Sequence, residues 1–197
     1  MNADVSYCIG LNIAENLKSQ GLGSLEVNSF LQGVKTLLNN EQPKFSVEQA
    51  NTILQSFFEQ KSQEEFAEFK TQGEEFLKVN AQKEGVNVTD SGLQYEVISL
   101  GTGVKPQSTS VVSVHYHGTL IDGTVFDSSY ERGTPAQFPL NQVISGWTEG
   151  LQLMNEGSKF RFYIPQELAY GANPHPQGPI KPYMALVFDV ELLSIEA

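Results

Sequence analysis

Asp127 stands directly after Phe126 and four residues beyond the Asp122-Gly123 pair. Around it the chain is rich in rings and poor in charge. Tyr116, Phe126, Phe138, Trp147, Phe160, Phe162, Tyr163, Tyr170 and Phe188 all fall between residues 116 and 188. Such side chains build an apolar pocket with a few placed polar groups, the usual form of a binding site. The other reading is an ordinary aromatic core, and it suits Phe160 and Phe162. Tyr170 opens a Pro/Gly-rich loop and Phe126-Asp127 follow a turn, which are positions at a pocket edge. His115 and His117 stand two apart and share one face of a strand. With His175 they make a conceivable metal set, but no carboxylate or Cys is spaced to complete it. They read as polar strand residues facing solvent, and no metal or cofactor is expected. The chain has no Gly-rich phosphate loop, no dinucleotide fingerprint and no Gly-x-Ser-x-Gly nucleophile turn.

The elements that must position these residues come in two regimes, which meet near residue 87. The chain has 197 residues, enough for one large domain or a domain with a smaller module. Up to about Glu84 the apolar spacing is helical. Val5, Ile9, Ile13 and Leu17 share one face, and Gly21 and Gly23 stop that helix. Val27, Phe30, Leu31, Val34, Leu37 and Leu38 form a second stripe. Ser46 and Gln49 form a capping box that opens a third helix. No proline interrupts it before Gly85, so it reads as one helix of about 40 residues, about 60 Å long. Gly73 is its one weak interior point, and its charged second half reads as a solvated spacer.

Beyond residue 87 the pattern is antiparallel β. Strands are predicted at Leu93–Ser99, Val111–Gly118, Lys159–Ile164 and Ala185–Leu193, with Asp122-Gly123 turning a hairpin into Val125-Phe126. Val112, Val114 and Tyr116 should share one face of their strand. A short helix is expected at Val143–Met154. Helices ahead of a sheet with one covering helix make the class α+β.

Composition removes several functions. Twelve basic against 23 acidic side chains leave a net charge of −11. That opposes binding to a phosphate backbone or an anionic membrane. No apolar run approaches the length of a membrane helix. Cys8 is the single cysteine, so no intramolecular disulfide can form. It reads as a small buried thiol, with a cross-chain disulfide as the other reading. The start lacks a signal-peptide pattern, so a cytoplasmic location is expected, or a periplasmic one if a leader was removed.

Four blocks then carry a resemblance. They are Val-His-Tyr-His-Gly-Thr-Leu (114–120) with Asp-Gly-Thr-Val-Phe-Asp-Ser-Ser (122–129), and Phe-Pro-Leu-Asn-Gln-Val-Ile-Ser-Gly-Trp-Thr-Glu-Gly (138–150). Ile-Pro-Gln-Glu-Leu-Ala-Tyr-Gly (164–171) and Leu-Val-Phe-Asp-Val-Glu-Leu-Leu (186–193) complete them. In order and spacing this resembles the FKBP-type peptidyl-prolyl cis-trans isomerases. The helical half, with Val-Ser-Tyr-Cys-Ile-Gly-Leu (5–11), resembles their bacterial macrophage-infectivity-potentiator-like members.

The resemblance implies three parts: a helical dimerisation module at 1–44, a long connecting helix at 45–86 and an isomerase domain at 87–197. It implies a curved antiparallel sheet wrapped on a short helix, with Trp147 as the pocket floor. Tyr116, Phe126, Val143, Ile144 and Phe188 are its implied walls, and Tyr170 offers a hydroxyl at the rim. The Ile144 amide would hold a substrate carbonyl. Asp127 would sit at the reacting amide, with Arg132 and Tyr116 orienting it and Phe138 packed nearby. Ile180 remains in the last loop beside Pro179, which replaces an apolar residue common in the family. Ala136 stands where many members carry a wall aromatic, so one side is more open. Asp127 keeps two readings, an electrostatic group in the transition state or a structural partner of Tyr116 and Arg132. Implied partners are proline-containing unfolded proteins, macrolides such as rapamycin, and a second copy through residues 1–60.

Proline isomerisation suits such a pocket. Rotation about the C–N bond breaks amide resonance, with a barrier of about 18–20 kcal/mol, and makes no new bond. The catalyst must bind the twisted amide better than either planar form. A twisted amide has a smaller dipole and loses less on leaving water, so an apolar pocket favours it. The competing reading is a holdase, in which the apolar faces of the dimer rather than the pocket bind the client.

Overall fold

The computed structural model describes residues 2–196. It resolves into two compact units, one running through Gln55 and the other starting at Ser56.

The first unit is helical. α1 (Ala3–Ser19) is capped by the Asn2 side chain, which accepts the Val5 N–H at 2.9 Å. α2 (Val27–Leu38) is capped by Glu26, whose carboxylate takes the N–H groups of Asn28 and Ser29. α3 (Val47–Glu65) opens on the expected capping box. Gln49 N–H donates to Ser46 Oγ at 3.2 Å, and Ser46 N–H donates to Gln49 Oε1 at 3.0 Å. None of these three helices contains a buried residue. Cys8 is therefore exposed, against the expectation of a buried thiol. A few helices cannot enclose their own apolar stripes.

The expected single long helix is two. α3 ends at Glu65 and α4 (Ala67–Asn80) starts after Phe66, whose backbone leaves the helical region at φ −110° and ψ 17°. The break falls at Phe66, not at Gly73. Gly73 is buried, and a β-carbon there would stand 3.2 Å from the Ala185 β-carbon. Nor is this half a solvated spacer. Phe66, Phe69, Gly73, Phe76, Leu77 and Asn80 recur at helical spacing and are its covered face. Phe76 lies 6.0 Å from the Tyr163 ring. Buried Asn80 donates to Gln94 Oε1 at 3.0 Å, and Gln94 donates back to the Leu77 carbonyl at 2.8 Å. That polar lock ends α4 five residues before Gly85.

The sheet is antiparallel throughout. Its strands are β1 (Asn87–Val88), β2 (Gln94–Ser99), β3 (Val111–Leu120), β4 (Val125–Ser128), β5 (Ala136–Pro139), β6 (Lys159–Ile164) and β7 (Leu186–Glu196). Their order is β1-β2-β6-β7-β3-β4, with β5 also on β3. Burial alternates strictly along β3, with Val112, Val114, Tyr116, Gly118 and Leu120 inward, as the alternation of types predicts. Short β1 and β5 were not foreseen.

One edge of β3 is shared. β5 pairs with Val111–Val114 and β4 with His117–Thr119. Between them the chain leaves the sheet as α5 (Ser129–Arg132). α6 (Ser145–Leu153) covers the inner face of the sheet. It lies close because Gly146 and Gly150 present no side chain there. Added β-carbons would stand 2.5 Å from Ile164 and 2.6 Å from Phe162. The core gathers Leu93, Val112, Val114, Leu140, Leu151, Met154, Phe162 and Leu192 around this contact.

Candidate active site

Between α6 and the sheet lies a cavity of about 510 Å³. Tyr116 comes from β3, Phe126 and Asp127 from β4, Ala136 and Phe138 from β5, and Phe188 from β7. Trp147 comes from the first turn of α6, Val143 and Ile144 from the two residues before it, and Tyr170 from the loop after β6.

The rings brace one another edge to face, an arrangement that the quadrupole of each ring favours. Trp147 sits 5.1 Å from Tyr116 at 84° and 5.1 Å from Phe188 at 81°. Phe126 meets Phe188 at 5.3 Å and 84°. Phe138 closes the far side, 5.3 Å from Trp147. Gly118 makes room for this: a β-carbon there would stand 2.8 Å from both the Phe126 and Phe188 rings. Trp147 is only 5% exposed, as a floor must be.

One wall is polar. The Tyr116 hydroxyl donates to Asp127 Oδ2, and an Arg132 N–H donates to Asp127 Oδ1. A second Arg132 N–H reaches the Tyr116 oxygen at 2.8 Å, and the guanidinium lies over the Tyr116 ring. Burial, and then the hydrogen bond to Asp127, hold the Tyr116 hydroxyl above its ordinary pKa. Burial also raises Tyr170, with the charge of Asp127 adding to it. Tyr116 thus stays a donor through the neutral range.

Of the eleven residues singled out in the sequence, nine line this cavity: Tyr116, Phe126, Asp127, Phe138, Val143, Ile144, Trp147, Tyr170 and Phe188. Arg132 acts on the wall from behind, through Asp127 and Tyr116. Ile180 is not a lining residue and packs against the core instead. Sequence reasoning missed Gln142, which also lines the cavity from a short 3-10 turn. A polar residue in a turn carries no periodic signal. It also missed Ser129, which is fully buried and holds Tyr116 in place.

His115 and His117 are not simply solvated. His115 Nδ1 lies 3.0 Å from Ser129 Oγ, and His117 Nδ1 lies 3.1 Å from Ser128 Oγ. Among the described residues, no three His, Cys, Asp or Glu side chains cluster to hold a metal.

The loop carrying Tyr170 is closed at its base, where Tyr183 N–H donates to the Gly171 carbonyl at 2.9 Å. α6 has no side-chain cap at Ile144, which leaves its first amides without a side-chain acceptor at the cavity mouth. An aromatic box of this size accepts a pyrrolidine ring. The Asp127 wall and the helix start supply polar groups to orient an amide.

Two family models together span almost the whole chain. The one described as FKBP-type peptidyl-prolyl cis-trans isomerase matches residues 102–193. The one described as the domain amino terminal to that isomerase matches residues 2–97. The FKBP-type isomerase FkpA of Aeromonas hydrophila is 50% identical over 203 residues, covering 96% of this chain and 75% of that protein.

The chain belongs to the FKBP-type peptidyl-prolyl cis-trans isomerases.

The FKBP-type 22 kDa isomerase of Escherichia coli is 44% identical over 99% of this chain and 96% of its own length. The crystal structure of Escherichia coli FkpA is similar at a TM-score of 0.66 and 35% identity, covering 99% of this chain and 97% of that one. The aromatic cavity described above lies within the stretch that matches the isomerase family.

Proposed function

We propose that this FKBP-type chain rotates X–Pro bonds of folding client proteins in the aromatic cavity, with no covalent intermediate. The observation that carries the reading is the wall of Tyr116, Asp127 and Arg132 beside the box of Phe126, Trp147 and Phe188. The proline ring enters the box over Trp147. The Ile144 amide takes the carbonyl of the substrate. Out of water, the planar amide loses more hydration than the twisted one, so the rotational barrier falls. Asp127, held by two partners, cannot turn away from the reacting amide. A macrolide such as rapamycin would be the small-molecule partner of the same aromatic walls, with the side at Ala136 left open.

The domain assignment goes with this reading: a dimerisation module at 1–44, a connecting helical segment at 45–86 and the isomerase domain at 87–197. Dimer formation through residues 1–60 is supported by the first unit. α1 and α2 line an apolar groove of about 670 Å³ with Ile9, Ile13, Phe30, Leu31 and Val34, all exposed. A second copy would cover these faces, and two sites on one client raise effective concentration. The same groove supports the holdase reading, in which the helices bind unfolded chains. The cytoplasmic placement is not carried forward: a relative 40% identical is named an outer membrane protein. Among the described residues no helix is long and apolar enough to cross a membrane.

The test is the isomerisation rate of an X–Pro peptide, for the wild type and for Phe126→Ala with Asp127→Leu. A rate well above background that the double variant loses is expected. Acceleration retained by the variant overturns the assignment to this cavity. Leu31→Asp should yield a monomer in sedimentation, and a persistent dimer would move the interface elsewhere.

A further inference from the structure

A second depression lies on the outer side of α6. It has a volume of about 560 Å³, and its lining includes Asn141, Val143, Ser145, Glu149 and Gln152. Val143 lines the aromatic cavity as well. The two spaces therefore adjoin at one side chain. Their linings differ in kind: the groove has no aromatic side chain and sets amides, hydroxyls and one carboxylate beside Val143 and Leu153.

The groove is built, not frayed. Thr148 Oγ1 donates to the Leu140 carbonyl and ties α6 to the 3-10 turn that forms the opposite wall. Gln152 Nε2 donates to the Thr148 carbonyl at 2.6 Å. Ser91 Oγ donates to Glu149 Oε2 at 2.7 Å and fixes that carboxylate at the groove. Asn141 and Ser145 are exposed, and among the described residues their side chains have no hydrogen bond within the chain. They remain available to a backbone laid against them.

Charge singles out Glu149. It is the one ionisable residue in the lining. In the neighbouring cavity the negative charge of Asp127 is matched by Arg132. The uncompensated charge of the combined surface thus sits at Glu149.

Spacing then sets the reach. Ser145, Glu149 and Gln152 follow one face of α6. From Ser145 to Glu149 the helix rises about 6 Å, or about two residues of extended chain. A client with its proline in the cavity crosses Val143 and then Ser145, so the residue that meets Glu149 lies at least two positions from the proline.

We propose that this groove is a second subsite, which takes the extended client segment flanking the proline and selects Lys or Arg there. The proposal rests on the aromatic cavity being the isomerase site. It assigns sequence preference to a place outside the ring-binding box.

The test uses the full chain and X–Pro peptides identical except for Lys, Ala or Glu two and three positions from the proline, on either side. On one flank, kcat/KM should rank Lys above Ala above Glu, carried by KM. The Lys-to-Glu ratio should be roughly twofold to fivefold at low salt, the scale of a partly exposed ion pair, and shrink at high salt. Glu149→Gln should collapse the ratio to near one, and Glu149→Lys should invert it. Circular dichroism and melting confirm that both variants are folded. Equal rates for Lys and Glu peptides on both flanks, with the Ala peptide still catalysed, overturn the subsite and leave the isomerase reading standing. A ratio that survives Glu149→Gln overturns it too. No acceleration of any peptide overturns the isomerase reading and the subsite with it.

Discussion

Ser129 Oγ accepts the backbone N–H of Tyr116 at 2.7 Å. A side chain here does what a strand does elsewhere. β4 and β5 each pair with a part of β3, and the Tyr116 amide falls in the gap between them. The chain can leave the sheet as α5 because Ser129 satisfies that amide. α5 in turn delivers Arg132 to Asp127 and to the Tyr116 hydroxyl. The polar wall of the cavity thus depends on one buried hydroxyl outside it.

Ser129→Ala leaves the Tyr116 amide buried without an acceptor. We expect a loss of about 1–3 kcal/mol in urea unfolding, the cost of an unsatisfied buried group. kcat/KM on peptides should fall with it, because Tyr116 and α5 lose their tie. Unchanged stability would show that another group takes the amide.

Gly73 is the contact point of α4 on the sheet unit. Gly73→Ala asks its neighbour Ala185 to yield only a few tenths of an ångström, and the gain in helix propensity offsets this. Gly73→Leu cannot fit and should cost about 1–3 kcal/mol by overpacking. Melting temperatures of the two variants check this: only the Leu variant should melt lower.

Alkaline pH should loosen the fold through tyrosines. Burial is the first cause that raises Tyr116, Tyr130, Tyr163 and Tyr170, and acidic neighbours add to it. Tyr130, bonded to Glu191, is pushed up to about 12. The folded state holds these protons more tightly than the unfolded chain, whose tyrosines titrate near the ordinary value of 10.0. Their contribution is complete below about pH 10 and is lost as pH climbs towards about 12. Urea midpoints should be flat up to about pH 9 and fall steeply above about pH 10.

Ala136 lines the cavity with a single methyl group. Ala136→Phe would add a ring wall and buried apolar area. Rapamycin binding should tighten roughly tenfold by calorimetry, in line with part of a buried phenyl group. Bulky residues before proline should be turned over more slowly, because the same ring narrows the mouth.

How much of this was legible in the chain follows from which signals are local. The alternation along β3, the bounds of β6 at Lys159–Ile164 and the Ser46–Gln49 box are properties of consecutive residues, and they read directly from the sequence. The α+β class followed from the change of period near residue 87. The four sequence blocks named the family, which implied the ring-bearing residues of the cavity. Tertiary structure alone decided where α3 gives way to α4, since the break at Phe66 accompanies the docking of α4 on the sheet unit. It alone gave Ser129 an amide to satisfy, because that amide lies thirteen residues away, on β3. It alone paired Glu149 with Ser91 and set the groove beside the cavity. Periodicity reports which face of an element is apolar. It carries no information about which distant hydrogen-bonding group or surface will meet that face, and those meetings decide the rest.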